Sequence, residues 1–342
     1  MHVMGGGDVG GAKTQIMNTV TGLSRTNDVM LISFRAGPFA DEARERGIDV
    51  RVIERHNPFR AARTMRDLVD EFKPDIIHCH GGRANLMGAM VRRSRHIPII
   101  TTVHSDYRLD YLGSPLKQHT LGTANAIALR FLDFYQPVAD RMARTLIERG
   151  FDPERIVKIY NGMEFNRPEG EFDRAAYLRE TYGAEIEEGD VLCGIAARLT
   201  AVKDIATTVR GFAEALKTAP QLRLFIAGDG EDADMLKKLC DQLGVRERVT
   251  FCGWVSPVMP FFRAMDINLL SSVSETFPYS ILEGVCAGCA TICSDVGGMP
   301  ELIDTGENGY IFPVGDDKKL AEYMARLAND AALRHTFAEA LY

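Results

Sequence analysis

The chain predicts an α/β fold of two doubly wound, Rossmann-like domains, and three observations carry that expectation. Short apolar runs alternate with amphipathic helical stretches along the whole length, the pattern of βαβ units and parallel sheets. The alternation runs through its course twice, on either side of the turn-rich stretch Asn161-Gly162-Met163-Glu164-Phe165-Asn166-Arg167-Pro168-Glu169-Gly170. A length of 342 residues suffices for two domains of ordinary size, each with its own core. The first domain is expected at 1–165 and the second at 166–342. They should face one another across a cleft between their strand carboxyl ends, where open α/β sheets bind ligands.

In chain order, a short first strand at 1–4 runs into Gly5-Gly6-Gly7-Asp8-Val9-Gly10-Gly11-Ala12-Lys13-Thr14. Buried strands are expected at 29–34, 50–53, 76–80, 99–103 and 156–160, with helices at 14–23, 41–46, 60–72, 84–93 and 137–149. The second half reads as strands at 191–196, 223–227, 249–252, 267–270, 290–293 and 309–312. Helices near 203–218, 231–243, 257–264, 278–287 and 317–328 lie between or after them. No short-period repeat or low-complexity tract interrupts the series.

No apolar run approaches the roughly 20 residues of a membrane-spanning helix. Met1-His2-Val3-Met4-Gly5 lacks the basic and apolar regions of a secretory signal, so a cytoplasmic protein is expected. The net charge of −7 divides unevenly, +4 over residues 1–165 and −11 over 166–342, as for two halves that meet different partners or for drift between two domains. No nucleic-acid partner is expected. Seven cysteines, an odd number, argue against a disulfide framework. Cys286, Cys289 and Cys293 form C-x2-C-x3-C but run from a helix end into a strand. They read as small core residues rather than metal ligands.

Glu275 and Glu283 bracket a strand-to-helix junction. Met265-Asp266-Ile267-Asn268-Leu269-Leu270 reads as a buried strand, and Pro278 pre-sets the first helical turn. Glu275 would hang at the strand's carboxyl end, and Glu283 would project from the second helical turn. Two carboxylates so placed can take the hydroxyls of two rings, as in a sugar nucleotide. Arg198, just past the strand at 191–196, and Lys203, opening the next helix, are two cations suited to a diphosphate, one bidentate and one a point charge. They could stand in for a metal ion by stabilising charge on a leaving nucleoside diphosphate. Asp232-Ala233-Asp234 is an acidic helix start, explained by the macrodipole, and no metal site is expected.

Gly5, Gly7 and Gly10 fit G-x-G-x-x-G, a dinucleotide fingerprint. The acid expected at the end of the following strand is absent, because that strand ends Ile32-Ser33-Phe34-Arg35. A glycine loop whose backbone N–H groups approach an anion, or a structural tight turn, accounts for the same residues.

Taken together the motifs resemble the retaining glycosyltransferases of the GT-B fold, family four. They are Arg198 with Lys203, Ala227-Gly228-Asp229-Gly230, Phe251-Cys252-Gly253-Trp254-Val255, Glu275-x7-Glu283 and Asp295-Val296-Gly297-Gly298-Met299-Pro300-Glu301-Leu302-Ile303, with the glycine loop at 5–11 and Thr102-Val103-His104 in the first half. The resemblance implies that Gly10 and Gly11 line the donor phosphates and that His104 approaches the donor sugar. It implies that Arg198 and Lys203 hold the diphosphate, Glu275 and Phe277 the sugar hydroxyls, Glu283 the ribose, and the backbone through Val255 the base. His78 and His80 read as histidines satisfied at a strand end. A front-face displacement, with no protein nucleophile and no cofactor beyond the sugar-nucleotide substrate, is the mechanism the resemblance implies. UDP is the expected base carrier. Members of the family usually continue into a helix that returns to the first domain. Either 330–342 is a shortened form of it, or the chain stops short.

The acceptor is expected on the first domain, as a glycan, lipid-linked or small-molecule acceptor. Arg60, Arg63 and Arg66 make a basic stripe on one helix, and Arg92, Arg93 and Arg95 follow another. The stripe suits phosphate groups or an anionic membrane surface at the inner face. A solvated face pairing with Asp67, Asp70 and Glu71 is the opposing reading. Two other functions remain open from the residues: a dinucleotide-dependent oxidoreductase, and a non-catalytic sugar-nucleotide binder or epimerase.

Overall fold

The computed structural model describes residues 1–5, 11–54, 57–92, 96–106 and 118–342. Gly10, Gly7, Arg93 and Arg95 lie outside the described residues. The chain divides into two compact units, Met1–Met163 and Glu164–Tyr342, each built on a six-stranded parallel sheet.

In the first unit, β1 (His2–Met4), β2 (Met30–Ser33), β3 (Asp49–Val52), β4 (Ile77–His80), β5 (Ile99–Val103) and β6 (Phe134–Pro137) stand in the order β3-β2-β1-β4-β5-β6. The described helices are α1 (Gly11–Leu23), α2 (Pro38–Glu45), α3 (Pro58–Phe72), α4 (Gly82–Arg92), α5 (Thr123–Leu129) and α6 (Asp140–Glu148). Period-two alternation along the strands feeds a core on each face. Val3, Ile77, Cys79 and Ile99 pack with Met65 of α3 and Met87 of α4. Met4 and Leu31 pack with Ile16 of α1 and Phe39 of α2. Asn57 caps α3 by accepting from the N–H groups of Phe59 (2.9 Å) and Arg60 (3.2 Å), with Pro58 in the first turn.

The sixth strand corrects the sequence reading. The expected strand at 156–160 makes only one bridge, between Ile156 and Tyr135. The edge strand is Phe134–Pro137, inside and just before the stretch expected as helix. Proline is tolerated there because an edge strand leaves one row of N–H groups without a ladder partner. Residues 156–160 run alongside, joined by Val157 N–H to the Tyr135 carbonyl (2.9 Å) and Ile159 N–H to that of Pro137 (3.1 Å).

The second unit repeats the wiring. Its strands β7 (Val191–Ala196), β8 (Leu222–Ala227), β9 (Val249–Gly253), β10 (Ile267–Leu270), β11 (Ala290–Ser294) and β12 (Tyr310–Phe312) stand in the order β12-β11-β10-β7-β8-β9. Its helices are α7 (Arg174–Tyr182), α8 (Ile205–Ala215), α9 (Ala233–Gln242), α10 (Met259–Arg263), α11 (Tyr279–Cys286), α12 (Met299–Leu302), α13 (Asp317–Asn329) and α14 (Ala331–Leu341). One face of the sheet packs on α8, α13 and α14 and the other on α7 and α10. Helix α7 was not legible because Leu178 is its only buried residue, which leaves no apolar period to read. Asp330 caps α14, and Phe337 of α14 lies edge-on to Tyr310 of β12 with ring centroids 5.0 Å apart. Residues 330–342 thus pack on the sheet of their own unit. Cys286, Cys289 and Cys293 are buried free thiols, and Cys289 donates to the Phe262 carbonyl at 3.2 Å. No helix among the described residues is long and apolar enough to cross a membrane.

Candidate functional site

In both sheets the strand order reverses once, between β1 and β4 and between β7 and β10. Chain departing from either side of such a switch point leaves a crevice for ligands.

In the second unit the loops that leave β7 and β10 are stitched together. Beyond β7 the chain passes Arg198 and a single tight turn, Ala201–Lys203, into α8. Asp204, left-handed at φ 43°, caps α8 by accepting from the N–H (3.3 Å) and the hydroxyl (2.6 Å) of Thr207. The buried hydroxyl of Ser271, just past β10, lies 2.9 Å from the Asp204 carbonyl and 3.1 Å from that of Lys203. It accepts from the Thr208 hydroxyl at 2.8 Å. Val273 N–H donates to the Val202 carbonyl at 2.9 Å.

This stitching brings Lys203 and Glu275 together as an ion pair. Ser272 Oγ donates to the same carboxylate oxygen of Glu275 at 2.8 Å. The backbone beneath is clamped: Gly298 N–H donates to the Thr276 carbonyl at 2.6 Å, and Gly297 is left-handed at φ 53°. A Cβ on Gly297 would overlap the carbonyl oxygens of Glu275 and Thr276, so only glycine fits. Phe277 is buried beside this turn. Pro278 stands at the N-cap of α11, with φ −74° and ψ 133°, one place before the first-turn position the sequence suggested.

Glu283 does project from the second turn of α11. Asn268 Nδ2 donates to the Ser280 carbonyl at 2.9 Å, and Gly284 leaves room for the Asn268 side chain, which pins α11 on β10. The Glu283 carboxylate is half-buried and has no side-chain partner among the described residues. Burial pushes its pKa up to about 7. Arg198, by contrast, is exposed and carries no ion pair among the described residues.

A third group of loops adjoins the first two. Gly228 N–H donates to the Gly253 carbonyl (2.7 Å) and Leu199 N–H to that of Asp229 (2.9 Å). A Cβ on Gly228 would overlap the Ala197 carbonyl. Around these contacts lies a cleft of about 480 Å³ whose walls include Leu199, Gly228, Lys237, Arg246, Phe251 and Gly253. Val255 follows two residues beyond β9, half-buried, after the exposed Trp254. Lys203, Glu275 and Glu283 are not part of that wall; they stand over β7 and β10. Asp232 and Asp234 occupy the N-cap and first turn of α9, where the macrodipole accounts for them.

In the first unit Gly11 opens α1 and is exposed. His104 follows β5, on the face that also carries His78 and His80 of β4 and His2 of β1. His80 Nδ1 lies 3.3 Å from His104 Nε2, His80 Nε2 lies 3.2 Å from His2 Nδ1, and His78 Nε2 lies 2.7 Å from Thr102 Oγ1. Burial holds all four rings neutral, His78 and His104 down to about 4 and His2 and His80 well below the usual imidazole range. Ser271, Ser272, Asn268 and His2 were not anticipated. A serine pair at a strand end and a histidine at residue 2 carry no spacing that separates them from ordinary turn or core residues.

Two family models cover nearly the whole chain: Glycosyltransferase Family 4 matches residues 9–167 and Glycosyl transferases group 1 matches residues 183–342. An uncharacterized glycosyltransferase of Methanocaldococcus jannaschii, MJ1607, is 28% identical over 77% of this chain and 68% of its own length. The alpha-monoglucosyldiacylglycerol synthase of Streptococcus pneumoniae is 25% identical over 84% of this chain and 67% of its own length. Among solved structures, Anabaena Alr3699/HepE in complex with UDP-glucose superposes with a TM-score of 0.86 at 21% identity, over 100% of this chain and 93% of that one. The two sheets are those of the GT-B fold, and the chain belongs to the group 1 glycosyltransferases of family four and is an enzyme of the hexosyltransferase class.

Proposed function

We propose that the enzyme moves a hexose or N-acetylhexosamine from a UDP-sugar to a glycan or lipid-linked acceptor, with retention and without a metal ion. The observation that carries the donor reading is Glu283, a desolvated carboxylate without a side-chain partner among the described residues, eight residues beyond a carboxylate already paired to a lysine. Burying such a group costs free energy unless a ligand supplies hydrogen bonds, and a ribose diol supplies two. Glu275, held by Lys203 and Ser272, faces the sugar. Arg198 and Lys203 meet the diphosphate, where negative charge grows as the glycosidic bond breaks. Bound donor phosphate competes with Glu275 for Lys203 and frees that carboxylate to accept from sugar hydroxyls. Gly10 and Gly11 contribute backbone N–H groups to the phosphates, His104 contacts the sugar, Phe277 supports the sugar loop, and the backbone near Val255 meets the base. The solved neighbour with UDP-glucose supports UDP as the carrier.

The acceptor side of the proposal rests on α3. Arg60, Arg63 and Arg66 form no ion pair among the described residues, Glu71 pairs instead with Arg51 at 3.5 Å, and Phe59 beside the stripe is 72% exposed. Cations without an ion-pair partner among the described residues, flanking an exposed ring, suit the headgroups of an anionic membrane, the place of a lipid-linked acceptor. The relative named for diacylglycerol glycosylation agrees with this.

Incubation with UDP-sugars and a glycolipid extract in excess EDTA should give product whose anomeric configuration matches the donor. Activity lost on chelation and restored by manganese overturns the metal-free mechanism. Reversal of Arg60, Arg63 and Arg66 to Glu should abolish co-sedimentation with anionic vesicles and leave UDP affinity unchanged. Equal sedimentation of both proteins would make a water-soluble acceptor the better reading.

A further inference from the structure

The buried histidines of the first unit form a connected series. Strand register sets His2 opposite His78, and His80 opposite Thr102 two residues before His104, all on the face away from Cys79. His80 uses both ring nitrogens, Nε2 toward His2 Nδ1 at 3.2 Å and Nδ1 toward His104 Nε2 at 3.3 Å. His2 and His80 are 5% and 3% exposed, so water does not substitute for either partner. A neutral imidazole carries one N–H and one lone pair. Only two arrangements then satisfy both contacts. In one, His2 donates to His80 and His80 donates to His104, leaving the proton of His104 on Nδ1. In the other, His104 donates through Nε2 to His80 and His80 donates to His2, leaving His104 Nδ1 with a lone pair. A mixed arrangement would set two N–H groups, or two lone pairs, face to face in a buried place.

We propose that His80, held by His2, is a positioning residue that ties the tautomer of His104 to its own. The hydrogen-bonding sense that His104 Nδ1 presents is then set by the arrangement His2 and His80 adopt. The proposal deepens the reading of His104 as the sugar-contacting residue and rests on it. The ring nitrogens of His2, His78 and His80 also lie within 4.8 Å of one another, as metal ligands do. Two nitrogens that already face each other at hydrogen-bond distance satisfy one another, which favours the hydrogen-bonded series over a shared ion.

The test is nitrogen NMR of the intact protein labelled in its histidine rings, with spectra between about pH 6 and 8, where a free imidazole would titrate. The expected wild-type spectrum shows His104 in one neutral tautomer throughout. His80→Leu should convert His104 to a mixture of tautomers and lower kcat about threefold to tenfold, the worth of one hydrogen bond, with donor KM and UDP affinity unchanged. His80→Asn, whose amide reaches the place of Nδ1, should restore a single tautomer and most of the turnover. His2→Phe should shift His104 in the same direction as His80→Leu, and it keeps the test open should His80→Leu fail to fold. A His104 spectrum indifferent to both His80→Leu and His2→Phe overturns the proposal, as does a shift of the wild-type ring nitrogens on adding one equivalent of zinc. If His104→Ala leaves turnover unchanged while the tautomers remain coupled, the coupling stands and the sugar-contact reading fails alone.

Discussion

The two units share one strand order and one switch point, yet they furnish that switch point with opposite chemistry. Beside the switch of the first sheet stand neutral, desolvated rings: His2, His80 and His104, hydrogen-bonded in series, and His78, bonded to Thr102. Over the switch of the second stand charges: an exposed Arg198, Lys203 paired with Glu275, and Glu283. The difference teaches what the fold leaves open. Parallel strands and crossover helices set where a site forms, while the residues just past each strand decide what it does. A sheet face can bury neutral imidazoles because each finds a partner on the next strand. Arg198, Lys203 and Glu275 of the second unit sit at or just past strand ends, where solvent and each other compensate them, while Glu283 projects from α11.

The largest expected effect sharpens this contrast. Arg198→Ala should lower kcat about 100- to 1,000-fold with a smaller change in donor KM, because the charge it meets grows in the transition state. His104→Asn should cost about tenfold, the scale of one neutral hydrogen bond. Steady-state kinetics that reversed this order would place the decisive chemistry in the first unit and break the comparison.

The two carboxylates of the second unit should then separate. Glu283→Gln should weaken UDP and UDP-sugar alike by about 1.5–3 kcal/mol, the worth of a charged hydrogen bond. Glu275→Gln should spare UDP and impair the intact donor. Calorimetry showing equal loss of UDP in both variants would refute the assignment.

A pH series resolves the units further, because their titrations run in opposite senses. Glu283 is raised in the folded, ligand-free protein to about 7, and ribose hydroxyls favour its ionised form. UDP should therefore bind with release of protons below pH 7, and its affinity should fall by up to about tenfold per pH unit as pH drops. Calorimetry in buffers of different ionisation enthalpy reads the proton release, which Glu283→Gln should remove.

For stability the signs are reversed between the units. The histidines are depressed on folding, so their contribution is present above the unfolded value of 6.5 and is lost as pH falls toward about 4. Glu283 is raised, so the stability linked to its protonation is present below 4.5 and is lost as pH rises through about 7. Between these limits acidification should loosen the first unit and slightly tighten the second. Hydrogen exchange resolved by segment would show it, and parallel acid loosening of both units would contradict the assignment of neutral rings to one of them.

Much of this was legible in the chain. The strand 191–196 and the helix beginning near 278 announced themselves through apolar runs and proline, and the order of motifs named the fold. The sixth strand of the first sheet was not legible, because Phe134–Pro137 is short, half-exposed and ends on proline, while 156–160 is richer in β-branched residues. Arg198, Lys203, Glu275 and Glu283 were singled out by residue type and spacing, but the Lys203–Glu275 pairing was not. Nothing local makes Lys203 the partner of Glu275, 72 residues away.

By itself the sequence determined the periods, the turns and the residue types. It therefore settled two parallel-sheet domains and charge at the ends of particular strands. Those are properties of neighbours along the chain. Tertiary structure decided which charges neutralise one another, that Glu283 is desolvated on α11, and which imidazoles connect. Those depend on parallel register, which sets His80 beside Thr102 and brings the loops beyond β7 and β10 together. Desolvation and hydrogen bonding act between residues close in space, and only the assembled sheet makes His2, His80 and His104 neighbours.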